Sequence, residues 1–202
     1  MAGMCGISEL NGEHPVLHTP MNGPWPEPNE TIYFALGCFW GAERIFWQQN
    51  GVINTAVGYL GGTLENPTYP LVCTGTTGHA ETVRVVYDPG RTSAAALLKV
   101  FWEMHDPTQG NRQGNDIGSQ YRSLICTTTD EQAQLAEWTR NEFAKTLNAA
   151  GAGAITTEIC DIATAGQFWP AEEYHQAYLY KNPNGYCMHG WNGYTCSLPP
   201  NI

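Results

Sequence analysis

The stretch Ile32-Tyr33-Phe34-Ala35-Leu36-Gly37-Cys38-Phe39-Trp40-Gly41-Ala42-Glu43-Arg44-Ile45-Phe46-Trp47-Gln48-Gln49-Asn50-Gly51 changes character in its middle. Residues 32–36 are apolar or aromatic without a polar gap and read as a short strand. Gly37 breaks the run. Residues 39–49 then read as a helix, closed by Asn50-Gly51 as a C-terminal stop. A strand that turns directly into a helix asks for a sheet with helices laid against it.

Working outward, Val52–Tyr59 reads as a second strand, ended by Gly61-Gly62. A third spans 80–87, where Glu81, Val83, Val85 and Tyr87 share one face by the two-residue period. A helix over 93–104 places Leu97, Val100, Phe101 and Met104 on one stripe. A fourth strand is expected at 120–127. Thr129 with Gln132 makes a capping box for a helix running to about Leu147. A fifth strand is expected at 155–162 and a short helix at 171–180. Residues 31–127 thus read strand, helix, strand, strand, helix, strand, a split β-α-β (ferredoxin-like) core. The expected class is α+β, a two-layer mixed sheet with helices and long irregular N- and C-terminal segments. Residues 1–30 hold five of the thirteen prolines and read as an extended arm that wraps the domain or stays mobile. Residues 31–181 form one catalytic domain, and 182–202 a Gly-rich tail.

The 202 residues are 42% hydrophobic and 11% aromatic, enough for a packed core. Nine Lys+Arg against nineteen Asp+Glu give a formal charge of −10, which argues against nucleic acid or an anionic membrane as partner. No stretch reaches the ~18–20 apolar residues of a membrane span. No Lys or Arg precedes Arg44, so neither a secretory nor a transit signature is present, and a cytoplasmic location is expected. Seven cysteines, an odd number, argue against a disulfide framework there.

Cys38 stands between a strand and a helix. Unpaired N–H groups and the positive end of the helix dipole meet a thiol at that junction, and both favour the thiolate. Gly37, Gly41 and the Phe39-Trp40 pair suggest a pocket around the sulfur rather than a plug.

Gly37-Cys38-Phe39-Trp40-Gly41-Ala42-Glu43 resembles the signature of the A-class peptide methionine sulfoxide reductases. Six companions resemble the family in the same order: Gly58-Tyr59 with Gly61-Gly62, Asn66-Pro67-Thr68-Tyr69, Thr77-Gly78-His79-Ala80-Glu81, His105-Asp106-Pro107-Thr108-Gln109, Gly114-Asn115-Asp116 through Gln120-Tyr121-Arg122-Ser123, and Phe168-Trp169-Pro170-Ala171-Glu172-Glu173-Tyr174-His175-Gln176. The likeness covers about residues 32–187. It implies reduction of the S epimer of methionine sulfoxide, protein-bound and free, in repair of oxidative damage. Cys38 would be the nucleophile and become a sulfenic acid, with Phe39 and Trp40 forming an apolar seat. Glu81, on an apolar strand face where burial raises a carboxyl pKa, would be the acid. Tyr69 and Tyr121 would donate to the sulfoxide oxygen, and Asp116 would belong to the same polar pocket. Cys187 would attack the sulfenic acid and Cys196 would then attack Cys187, lying further out where thioredoxin, the external reductant, reaches the disulfide. No cofactor or metal is implied. Between these two cysteines, Met188, His189, Trp191, Asn192 and Tyr194 interrupt what is usually a run of small residues.

Two other readings exist: a cysteine hydrolase pairing Cys38 with His79 or His175, and a zinc-binding tail using Cys187, His189 and Cys196. Cys73, Cys126 and Cys160 read as buried structural thiols, and Cys5 has no evident partner.

Overall fold

The computed structural model describes residues 10–200, so Cys5 lies outside the described residues. In chain order the elements are β1 (Glu30–Leu36), α1 (Phe39–Trp47), β2 (Val52–Leu60), α2 (Tyr69–Val72), β3 (Ala80–Tyr87), α3 (Ala94–Glu103), β4 (Arg112–Gln113), β5 (Asp116–Ile117), β6 (Ser123–Thr127), α4 (Asp130–Ala149), β7 (Glu158–Asp161), α5 (Ile162–Ala165), β8 (Trp169–Pro170) and α6 (Tyr178–Lys181). Six strands form one mixed sheet in the order β7-β6-β1-β3-β2-β8. β3 lies between β1 and β2, antiparallel to both, with Ile32 opposite Val85 and Val57 opposite Val83. Only β6 and β7 run parallel. β4 and β5 make a separate two-stranded hairpin. The α+β class and the mixed sheet stand as expected, and β7 and β8 form the two edges of the six-stranded sheet.

The alternation read at 80–87 explains the layers. Val83, Val85 and Tyr87 face the main core with Ile32, Phe34 and Leu36, and α1, α3 and α4 cover them through Phe46, Phe101 and Phe143. Phe34 stacks between Phe46 at 4.6 Å and Phe101 at 5.4 Å. The opposite face holds Ala35, Leu60, Leu124 and Cys126 under Phe168 and Ile162. Residues 10–29 wrap the β2–β3 end of the sheet. Leu10 and Met21 pack on Ala56, and Trp25 lies over the Arg84 guanidinium at 4.9 Å. His14 Nε2 meets Thr55 Oγ1 at 2.9 Å, Thr55 donates to Glu43, and Glu43 Oε2 accepts the Ala177 N–H at 2.8 Å. All three side chains of this relay are fully buried.

Several boundaries differ from the sequence reading. Residues 119–121 are a 3₁₀ turn, so β6 starts at Ser123 rather than 120. The fifth strand is four residues long because Thr156 bonds to Pro107 O and Gln109 O instead of joining a ladder. The helix expected at 171–180 splits into a 3₁₀ turn at Glu173–His175 and α6. The break is at Gln176, whose side chain bonds both backbone groups of Val57, and Ala177, which is left-handed at φ 48°. Thr129 accepts from Gln132 N as expected, but the Gln132 amide oxygen reaches back to Thr128 N. Cys73 is exposed, not buried: it follows the one-turn α2, of which only Val72 is fully buried. No helix among the described residues is long and apolar enough to cross a membrane.

Candidate active site

Cys38 is the N-cap residue of α1 and is 7% exposed. Gly37 before it is left-handed at φ 101°, and a Cβ there would fall 2.7 Å from the Gln113 side chain, so only glycine fits. The cap turns the sulfur toward the N–H groups of Trp40 and Gly41, which lower its pKa. Burial and the Glu81 charge act more strongly in the other direction, with Asp116 adding to them, and the thiol is raised above its ordinary range. The expectation of a thiolate is thereby corrected. Desolvation at a cap this deep outweighs the helix terminus, and the resting group is a thiol.

Glu81, the second residue of β3, is 2% exposed and its Oε2 accepts the Phe39 N–H at 3.0 Å. Burial raises its pKa to about 8; the Phe39 N–H opposes this and the Asp116 charge adds to it. The carboxyl is therefore neutral at pH 7. Tyr69 starts α2 and Tyr121 ends the 3₁₀ turn before β6. Burial and then the Glu81 charge raise both phenols, so both keep their protons as donors. Asp116 in β5 raises Cys38, Glu81 and Tyr121 alike, and it accepts from Tyr186 Oη at 3.0 Å. Phe39 is buried against Tyr59 and Tyr69, whereas Trp40 is half-buried and stacks on Tyr178 at 3.8 Å. Cys38, Glu81, Tyr69, Tyr121 and Asp116, from the α1 cap, β3, α2, the 3₁₀ turn and β5, thus lie near enough to shift one another's titration.

The two tail thiols sit apart from each other in setting. Cys187 is half-buried against the first turn of α1, where a Cβ on Gly41 would be 2.7 Å from its sulfur, and Arg44 donates to that sulfur at 3.0 Å. Cys196 is 1% exposed in the main core. Its N–H donates to Glu103 Oε1 and its carbonyl accepts from Lys99 Nζ, both at 2.8 Å. The outward position expected for Cys196 is corrected: α3 captures its backbone, and burial raises its pKa to about 12.

Neither hydrolase histidine serves Cys38. Both His79 nitrogens are taken by the Gly62 N–H and Leu64 O. His175 Nδ1 accepts the Trp40 indole N–H at 2.9 Å, and burial lowers its pKa to about 4. Among the described residues no group of three or more His, Cys, Asp or Glu could hold a metal ion.

Residues 30–196 match the family described as peptide methionine sulfoxide reductase. The chain belongs to that reductase family. It is 57% identical to peptide methionine sulfoxide reductase MsrA of Rhodospirillum centenum over 189 residues, 94% of this chain and 85% of that one. Among solved structures, methionine sulfoxide reductase A of Corynebacterium diphtheriae superposes with a TM-score of 0.79 at 46% identity, covering 96% of each chain. Mxr1 from Saccharomyces cerevisiae in reduced form gives 0.72 at 34% identity over 81% of this chain and 91% of that one. Mxr1 has also been solved in complex with Trx2.

Three residues of this reductase support the site in ways the sequence did not assign: Glu172 and Asn192 drew no role, and His175 drew only that of a hydrolase partner. Glu172 accepts the Tyr69 N–H and the Tyr59 hydroxyl, each at 2.8 Å, and so fixes the start of α2. His175 packs its ring on Tyr69 at 4.5 Å and Phe39 at 5.0 Å. Both lie in the quoted Phe168–Gln176 segment, and that was the signal available. Asn192 gave none: its Nδ2 donates to Trp102 O and His105 O at 2.8 and 2.6 Å, and its N–H to Glu103 O at 2.8 Å, capping the C-terminus of α3. Asn192→Ala removes two of these bonds, each worth ~1 kcal/mol. Iodoacetamide labelling of Cys196 in the native chain is expected to quicken about ten-fold. An unchanged rate would mean that the dock does not depend on Asn192.

Proposed function

We propose that this chain reduces the S epimer of methionine sulfoxide, in oxidised proteins and peptides and as the free amino acid, to methionine. One observation carries the reading: a buried carboxyl lies beside a buried thiol, and burial raises its pKa to about 8. A sulfoxide offers an electrophilic sulfur and a basic oxygen, and this pair answers both. Cys38 attacks the substrate sulfur while Glu81 protonates the oxygen, aided by Tyr69 and Tyr121. Phe39 and Trp40 seat the methyl group, and Asp116 completes the polar side. The oxygen ends on Cys38, so sulfoxide and thiol become methionine and sulfenic acid.

Cys187 then displaces that hydroxyl as water and forms a disulfide with Cys38. Cys196 attacks Cys187, returning Cys38 as a thiol, and the dithiol of thioredoxin reduces the Cys187–Cys196 bond. All electrons come from thiols, so no prosthetic cofactor is needed. The six free cysteines among the described residues fit a reducing, cytoplasmic setting. In this assignment 31–181 is the catalytic domain, 1–30 the arm and 182–202 the recycling tail.

A thioredoxin-coupled assay on separated S and R sulfoxide peptides tests the activity. Turnover of R with none of S would overturn it. For the relay, Cys187→Ser should complete one turnover but form no disulfide to Cys38. Cys196→Ser should accumulate a Cys38–Cys187 bond, with thioredoxin-driven turnover falling by at least ten-fold, roughly the drop expected when a resolving thiol is lost. Full turnover by Cys196→Ser would leave Cys187 as a one-step resolver.

A further inference from the structure

Cys126 and Cys160 are Cα partners in the parallel pair β6–β7. Direct partners on neighbouring strands point to the same face at a spacing of about 4.8 Å. That lies within the ~4.4–6.8 Å Cα separation that disulfides span. Both thiols belong to the apolar cluster on the sheet face opposite α1 and α3, with Ala35, Leu60 and Leu124. The two thiols lie close enough to shift one another's titration, and the Cys160 S–H is directed at Ile125 O at 3.7 Å. Cys126 is fully buried, while Cys160 is half-buried on the edge strand β7. Phe39, next to Cys38, packs in the core of the other face, so the proposed sulfoxide reduction does not use this pair.

We propose that Cys126 and Cys160 form a second dithiol centre, oxidised by peroxides to a disulfide independently of Cys38. The two thiols have different parts. Cys160 is the one of the two that solvent reaches, and the neighbouring Cys126 thiol, with a smaller part from the Arg122 guanidinium, lowers its pKa against burial and the charges of Glu158 and Asp161. The thiolate is the form that peroxide oxidises. Cys126, fully buried behind it and raised, remains the thiol that resolves. Cys160 attacks one peroxide oxygen and the O–O bond breaks. One oxygen stays on Cys160 as sulfenic acid, and the other leaves as hydroxide. The Cys126 sulfur then displaces the sulfenic hydroxyl, which leaves as water, and the S–S bond forms. In sum two thiols and hydrogen peroxide give one disulfide and two waters. An external dithiol reverses the oxidation from the Cys160 side, the one that reaches solvent.

The sequence makes the test direct, because cleavage after Arg122, Arg140, Lys145 and Lys181 leaves Cys126 alone in peptide 123–140 and Cys160 alone in peptide 146–181. The reduced full-length chain is treated with a few equivalents of hydrogen peroxide, alkylated while folded, then digested without reductant. The expected product is a cross-linked 123–140/146–181 pair, two hydrogens lighter than its parts, that dithiothreitol splits. It should form equally in Cys38→Ser. In Cys126→Ser, Cys160 should instead be trapped by a 1,3-dicarbonyl sulfenic acid probe. Recovery of both peptides as uncross-linked thiols at a dose that oxidises Cys38 would overturn the proposal. So would a cross-link that requires Cys38, or one joining Cys160 to a different cysteine.

Discussion

Cys38→Ser is expected to release no methionine above background in a single turnover, a fall of more than about 10⁴-fold, the scale on which loss of a covalent nucleophile registers. Serine keeps the Cβ, the cap position and the contacts of Phe39 and Ala42, so the fold tolerates it. What it loses is the soft sulfur that attacks sulfoxide and then holds the transferred oxygen. The nearest competing thiol is Cys187, packed on Gly41. If Cys187 were the nucleophile, Cys38→Ser would still yield one equivalent of methionine and Cys187→Ser would yield none. Quantifying methionine from both variants without reductant separates the two orders.

Glu81→Gln is expected to slow sulfoxide reduction by ~10²–10⁴-fold, the usual worth of a positioned general acid. The pH profile carries the sharper signature. With a folded pKa of about 8, Glu81 holds its proton below that pH, so the wild-type rate should fall as pH rises through about 8. The glutamine variant should be flat there. Stability follows the same sign. The folded chain keeps a proton that the unfolded chain has already released, so rising pH between the ordinary carboxylate range and about 8 weakens the wild-type fold and not the variant. The difference in Tm between the two should therefore shift in favour of Glu81→Gln across that window. A variant rate close to wild type from pH 6 to 8 would remove Glu81 from the acid's place.

Much of this was legible locally. The apolar run 32–36, the glycine break and the Cys38 cap are neighbours in sequence, and their outcome depends on few distant groups. Ala80–Tyr87 was legible to the residue because both its faces alternate cleanly. The two tyrosines were not: nothing around Tyr69 or Tyr121 separates them from the other eight, and only the family likeness chose them. The thiol's protonation state also escaped, because its largest causes are burial and a carboxyl on another strand. The break at Gln176 depends on Val57 and that of β7 on Pro107, partners that no local period encodes. Burial of Cys196 escaped for the same reason, since it depends on Lys99 and Glu103, residues a whole domain away in sequence.

The docking of the tail on α3 has a kinetic meaning. A chain with two thiols on one tail risks both competing for the same sulfenic acid, and premature closure between them would leave Cys38 unresolved. Packing Cys187 on Gly41 gives it a high effective concentration at the α1 cap, while holding Cys196 against Glu103 keeps its own low. In the proposed relay the order of the two exchanges follows from where the reduced tail rests, and the raised Cys196 pKa acts in the same direction. Under that proposal, detaching residues 190–196 from α3 would be the step that admits the second thiol. A solvent or mutation that loosens that segment would trade fidelity of order for speed.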